Sequence, residues 1–355
     1  MKNRVLIIFS SDYVGGAEKN LVKLSSSNNL NEKCEYYLYT FRNPGKLLHL
    51  FSSTTNNYFN FYSRIKIINI LYVIFLTYKF KIKFLYISGF RYSVYLRILN
   101  IFFPKTKIVV AQRWNPNSSR LIDKMLRVIE RFFCYFTHGY ISNSKAANYT
   151  LSKIIKNKEK LHTIYNGIEI KFNQYDKNYD FDICVLAHIS NRKGHMDFLD
   201  KIFEIKKLIP GIKVVFIGTN LLKSKILFKV KKLMLEENII FSDYQTKVDS
   251  FLNRSKILVL PSKVGEGLPT AIIEGLNNKL PVIAYDIDGN REVIIDDFNG
   301  YLVDKAKNNI IEKIIKILLD QNKFNFLSEN SHEILIKKFT NDNFYSKHNQ
   351  YFNNG

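Results

Sequence analysis

The stretch from Val259 to Val303 constrains this chain more than any other. A short apolar run, Ile257 to Leu260, stops at Pro261 and predicts a buried parallel strand. A loop with Gly265 and Gly267 follows, and Pro269 sits where its fixed φ suits the start of a helix over Thr270 to Asn277. A second strand is expected from Pro281 to Ala284. Strand, glycine loop, helix and strand make a βαβ unit, which binds ligands at the carboxyl ends of its strands and anions at its helix start. Two carboxylates mark this one, Glu266 in the loop and Glu274 on the helix. Glu274 lies little more than one turn beyond Pro269, so both can reach one crevice. Carboxylates beside helix amides suit a ligand with sugar hydroxyls at one end and phosphates at the other.

The segment E-G-L-P-T-A-I-I-E resembles the paired-glutamate signature of the retaining, family-four glycosyltransferases of the GT-B fold. The flanking L-P-S, P-V-I-A-Y-D and G-N-R-E-V-I…N-G-Y-L-V are similar to the same family. Without those flanks, two glutamates on a strand–helix unit would read as solvated carboxylates. The resemblance implies an α/β protein of two doubly wound Rossmann-like domains facing across a cleft.

A chain of 355 residues is long for one domain and comfortable for two. The cysteines, Cys34, Cys134 and Cys184, are scattered and form no C-x-x-C, so reduced thiols in a cytosolic protein are expected. The apolar run Val5 to Phe9 is too short for a signal peptide and predicts a first strand. No run reaches the ~18 apolar residues of a membrane-spanning helix.

Charge divides the chain unevenly. Residues 1–175 hold 27 Lys+Arg and 8 Asp+Glu, a difference of +19; the remainder, 26 and 23, gives +3. Residues 36–122 contain 13 basic residues and no acid. A lysine-rich composition alone would not spare the second half. A basic, aromatic half implies an anionic partner: nucleic acid, a membrane surface or a phosphate-bearing substrate.

In chain order, strand one is followed by Gly15 and Gly16, which let backbone pass close to a ligand and open a helix. G-G-A-E-K there resembles the family's first loop, near the donor diphosphate and the acceptor. A second strand is expected at Cys34 to Tyr39, and residues 45–63 are ambiguous. Ile65 to Lys83 and Tyr92 to Phe103 predict two apolar, aromatic helices with basic residues at their ends. They are either core helices or helices with one face on anionic lipid. The strand Ile108 to Ala111 leads to Q-R-W-N-P, which resembles transferases of surface-polysaccharide assembly and places Arg113 and Asn115 on the acceptor side. The plain alternative is a surface arginine beside a packed tryptophan. The helix Leu121 to Phe136, the turn Asn166-Gly167 and a linker near 167–180 close the first half.

The second half opens with the strand Phe181 to Ala187 and H-I-S-N-R-K-G-H, then alternates helices and strands to one helix near Asn309 to Ser328. The family places an arginine and a lysine here to grip the diphosphate. Lys193 and Gly194 match, His188 stands where the arginine usually is, and Arg192 is the candidate replacement. The expected divisions are 1–170, an acceptor-binding domain; 171–340, a nucleotide-sugar domain; and 341–355, a helix crossing back to the first.

The resemblance implies a retaining hexosyl or N-acetylhexosaminyl transferase with a nucleoside diphosphate sugar as donor, and with neither cofactor nor metal. Glu274 would hold the ribose. Lys193, Arg192 and the backbone at Leu268, Pro269 and Thr270 would meet the diphosphate, and Glu266 the transferred sugar. A polyprenyl-diphosphate-linked saccharide acceptor would account for the charge and aromatics together. The expected setting is a peripheral enzyme on the inner face of the cytoplasmic membrane, making lipopolysaccharide or capsule, without a nucleic-acid partner. Two alternatives stand: a sugar-nucleotide 2-epimerase of the same fold, and a basic nucleic-acid-binding protein.

Overall fold

The computed structural model describes residues 2–10, 14, 16–27, 33–43, 45–98, 105–112, 121–171, 178–245, 247–264, 267–307 and 309–354. They divide into two units, Met1–Gly167 with Asn341–Gly355, and Ile168–Thr340.

The first unit runs β1 (Asn3–Phe9), α1 (Gly16–Ser26), β2 (Cys34–Thr40), α2 (Gly45–Thr54), α3 (Lys66–Lys79), β3 (Phe84–Ser88), α4 (Phe90–Ile98), β4 (Lys107–Gln112), α5 (Leu121–Phe133), β5 (Gly139–Ser142), α6 (Lys145–Ser152) and β6 (Leu161–Thr163). The strands form one parallel sheet in the order β2-β1-β3-β4-β5-β6. Their near-continuous apolar runs fit a sheet covered on both faces. Along β1 the side chains alternate: Val5, Ile7 and Phe9 enter one core with α1 and α2, while Leu6 and Ile8 enter the other with α3 and α4.

The second unit runs β7 (Phe181–Leu186), α7 (His195–Leu208), β8 (Val214–Ile217), α8 (Ser224–Lys232), β9 (Ile239–Ser242), α9 (Asp249–Leu252), β10 (Ser255–Leu260), α10 (Thr270–Asn277), β11 (Val282–Tyr285), β12 (Gly300–Val303), α11 (Ile310–Leu319), α12 (Gln321–Glu329) and α13 (Ser331–Lys338). Its parallel sheet has the order β12-β11-β10-β7-β8-β9. Counted from its own first strand, that is the 3-2-1-4-5-6 order of dinucleotide-binding sheets. The core joins Val185, Phe216, Val259 and Ile283 of the sheet to Phe198, Ile202 and Ile314 of the helices.

The last helix, α14 (Asn341–Asn354), belongs to the first unit. Phe344, His348 and Phe352 recur every fourth residue and are buried. Phe352 packs edge-on against Tyr36, Phe84 and Tyr86. The Tyr36 hydroxyl donates to Asn349 Oδ1 at 2.6 Å, and Asn3 Nδ2 to the Phe352 carbonyl at 2.9 Å.

Several helices differ from the sequence reading. The one expected near Asn309 to Ser328 is two, because Asp320 is extended (φ −106°, ψ 97°) and its carboxylate accepts from Lys323 N, capping α12. The helix expected to Lys83 ends at Lys79, where Lys81 turns left-handed at φ 48°. The helix expected over Tyr92 to Phe103 is described only as Phe90–Ile98, and 99–104 lie outside the described residues. The ambiguous stretch holds α2 and a single parallel bridge between Leu38 and Tyr58.

Candidate functional site

The strand order of the second unit creates the site. From β7 the chain winds outward through β8 and β9, then returns to place β10 on the other side of β7. Helices leaving adjacent strands in opposite directions part there and open a crevice at the carboxyl ends. The loops after β7, β10 and β11 meet at that edge.

The first loop is built to touch the second. Gly194 has φ 78°, and a Cβ on it would stand 1.8 Å from the Pro261 carbonyl oxygen, so no side chain fits. Lys263 N–H donates to the Arg192 carbonyl at 2.9 Å, and Lys263 Nζ pairs with Asp197 at 2.6 Å. These ties fix the backbone carrying Arg192 and Lys193 immediately before α7. Arg192 is exposed and Lys193 half-buried.

The second loop is pressed from the far side by Gly289, whose Cβ would lie 1.6 Å from the Gly267 carbonyl oxygen. Leu268 and Pro269 are buried, and the extended ψ of 111° at Pro269 turns the chain into α10 at Thr270. Neither α7 nor α10 has a side-chain cap at its start. Two helix N-termini therefore present first-turn amides at one strand edge, with Arg192 and Lys193 beside them. Two helix starts and two cations make this edge electropositive.

Glu274 stands half-buried just over one turn into α10. Its charge reaches Cys184 on β7, whose thiol burial pushes up to about 12, against a lowering hydrogen bond with Ser255 and with a smaller raising contribution from this carboxylate. Burial lowers His188 below its ordinary 6.5, and Lys193 and Arg192 lower it further. The His188 ring is therefore neutral at pH 7 and supplies hydrogen bonding rather than the charge of an arginine. His195, fully buried edge-on against Phe216, is lowered to about 4 chiefly by burial.

Arg192, Lys193, His188, Leu268, Pro269, Thr270 and Glu274 all lie at this edge. Gly16 opens α1 in the other unit, where its carbonyl accepts from Asn20 Nδ2 at 2.8 Å. Glu266, Gly15, Arg113 and Asn115 lie outside the described residues. Sequence reasoning passed over the Lys263–Asp197 tie, which joins residues 66 positions apart and leaves no local pattern. It also passed over Ser262 and Asn290, fully buried in the loops after β10 and β11. Their places within L-P-S and G-N-R-E were the available signal. An Asp-x-Asp, Asp286 to Asp288, follows β11, and its first carboxylate is tied to Arg291.

The model of the family described as glycosyl transferases group 1 matches residues 167–334. An uncharacterized glycosyltransferase of Methanocaldococcus jannaschii is 32% identical over 54% of this chain and 54% of its own length. The Escherichia coli UDP-Gal:alpha-D-GlcNAc-diphosphoundecaprenol alpha-1,3-galactosyltransferase is 25% identical over 51% of this chain and 50% of its own. The chain spans about half the length of the curated relatives it matches. The crystal structure of Anabaena Alr3699/HepE in complex with UDP superposes with a TM-score of 0.86 at 16% identity, covering 100% of both chains. Two parallel six-stranded sheets flanked by helices give this chain the GT-B fold. Residues 167–334, the stretch that is similar to glycosyl transferases group 1, hold the crevice and its cations.

Proposed function

We propose that this protein is a retaining glycosyltransferase. It moves a hexosyl or N-acetylhexosaminyl group from a nucleoside diphosphate sugar to a saccharide carried on a polyprenyl diphosphate, in building a bacterial surface polysaccharide such as lipopolysaccharide or capsule. The observation that carries this reading is the convergence of two uncapped helix starts with Arg192 and Lys193 at one strand edge of a group 1 domain.

In this reading the donor lies across the carboxyl ends of β7 and β10. Glu274 accepts hydrogen bonds from the ribose hydroxyls, and Glu266 meets hydroxyls of the transferred sugar. The bond from the anomeric carbon to the diphosphate breaks as the acceptor oxygen approaches from the same face, and the acceptor proton passes to the leaving phosphate oxygen. Negative charge grows on the diphosphate during departure. Lys193, Arg192 and the amides of α7 and α10 therefore stabilise the transition state more than the bound donor. Those groups balance the diphosphate without metal or cofactor. Gly15 and Gly16 lie near the donor diphosphate, and Arg113 and Asn115 serve the acceptor side. The donor and diphosphoundecaprenol acceptor in the name of the Escherichia coli relative support this choice of substrates. Work on such an acceptor places the enzyme against an anionic membrane, at the inner face of the cytoplasmic membrane. Among the described residues no helix is long and apolar enough to cross it.

Thermal unfolding with UDP, GDP, ADP and CMP, each alone and as a common sugar conjugate, tests the reading. A ligand bound only by the folded chain raises the melting temperature. A rise with one diphosphate, lost in Glu274→Ala, is expected; no rise with any of them overturns it.

A further inference from the structure

Helix α3 is apolar on its outward face as well as its inward one. The polar Asn69 and Thr77 are buried with Ile70, Val73 and Leu76. Asn69 is held there by the Ser63 backbone, accepting from its N–H at 2.8 Å and donating to its carbonyl at 2.6 Å. Thr77 Oγ1 donates to the Val73 carbonyl at 2.7 Å. The outward face instead carries Ile67, Leu71, Phe75 and Tyr78, between 51% and 66% exposed. At 100° per residue these four fall within about a quarter of the helix circumference, so they form one stripe. A surface helix ordinarily carries polar residues on that face.

The stripe does not stand alone. Helices α3 and α4, and the turn that ends α5, cover one face of the first sheet, since Val73, Leu96 and Cys134 share a core. Tyr95 of α4 and Val128 and Phe132 of α5 are also exposed, at 43%, 60% and 68%. Around them the chain is basic. Lys66 and Lys79 end α3, and residues 36–122 hold no carboxylate. Lys79 Nζ lies 5.3 Å from the centre of the Phe75 ring, so cation and aromatic are presented together.

We infer that the outer face of α3, continued by α4 and α5, is the surface by which this protein docks on an anionic lipid bilayer, with Leu71 and Phe75 entering the headgroup boundary. The inference rests on the membrane setting of the proposed function and names its face. Charge complementarity decides the occupant: an apolar stripe with a lysine at either end, in a stretch without carboxylates from residue 36 to 122, matches apolar chains beneath anionic headgroups. A rival lies on α8, where Leu227 and Phe228 are exposed among lysines. There Lys229 is paired with Asp200 at 2.7 Å, and that half of the chain carries a net charge of only +3.

The test is sedimentation of the full chain with phosphatidylglycerol-containing or pure phosphatidylcholine vesicles. The unaltered protein is expected to bind the first, less so as salt rises, and to ignore the second. Leu71→Glu with Phe75→Glu should weaken binding by about tenfold or more, and Phe228→Glu should leave it unchanged. Lys66→Glu with Lys79→Glu should weaken it too, and serves if the first variant fails to fold, as judged by circular dichroism. Undiminished binding of both folded variants, or loss in Phe228→Glu, overturns the assignment of this face. Tighter binding to RNA than to vesicles overturns it as well. No binding of the unaltered protein to any vesicle overturns the membrane setting itself, while a shift with nucleoside diphosphate would leave the transferase reading standing.

Discussion

The two sheets follow one winding plan and finish it differently. Each starts in its middle, winds outward, then returns across its first strand. In the second unit the outermost strand of the first half is β9, fully paired with β8. In the first unit the corresponding position holds one bridge, Leu38 to Tyr58, with Leu38 N–H donating to Asn57 O and Phe59 N–H to Leu38 O. The surfaces differ as well. In the second unit acids meet bases across the surface, as in Asp182–Lys256, Asp197–Lys263 and Asp200–Lys229. In the first unit Arg4 pairs with Glu35 at the surface and Arg97 with Glu130 in the interior. The same scaffold is thus charge-balanced where it carries the crevice and strongly basic where it shows apolar helices. In the balanced unit acids and bases nearly cancel, whereas the basic one carries most of the chain's surplus positive charge.

This contrast can be broken at four points. Phe352→Ala should cost the first unit about 3–5 kcal/mol, because a large aromatic leaves a cavity among Tyr36, Phe84 and Tyr86. Denaturant unfolding checks this, and the second unit's diphosphate binding should survive it. Lys193→Ala should lower turnover roughly 100-fold or more, as expected for a cation facing charge that grows in the transition state. Unaltered turnover would move that role to Arg192.

Histidine titration gives the third. His195 is held to about 4 against its ordinary 6.5. Between those values the unfolded chain binds more protons, so stability falls as pH drops through that window and is full above it. The loss approaches about 3 kcal/mol at the acid end. Urea unfolding at successive pH values should show a flatter profile for His195→Phe. The smallest effect concerns His188. Because its neutral form is favoured at pH 7, diphosphate affinity should rise modestly as pH falls below 6.5, and His188→Gln should remove that rise. Calorimetric titration at two pH values distinguishes the outcomes.

Much of the second unit was legible in its sequence because buried parallel strands leave unbroken apolar runs, and Pro269 marks a helix start without help from the rest of the chain. Glu274 falls on the helix of the βαβ unit read from the sequence, and Arg192 and Lys193, singled out by the family resemblance, lie in the loop after the neighbouring strand β7. The edge at Tyr58 was not legible, since Asn56, Asn57 and Asn60 give no strand pattern and pairing is set by β2. Nor was the break at Asp320, where a carboxylate caps the next turn inside an otherwise helical run. The inward turn of Asn69 was hidden too: sequence shows an amide within an apolar helix, and only the Ser63 backbone explains which way it faces.

Helix α14 carries a consequence for biosynthesis. Residues 168–340 form their unit from one unbroken stretch of chain. The unit begun first does not: Phe344 and Phe352 help close its core, yet they follow the whole second unit along the chain. Until then Tyr36, Phe84 and Tyr86 remain uncovered on the nascent chain. The half of the protein that is made earliest is therefore finished last, and it is the half for which chaperone protection during synthesis matters most.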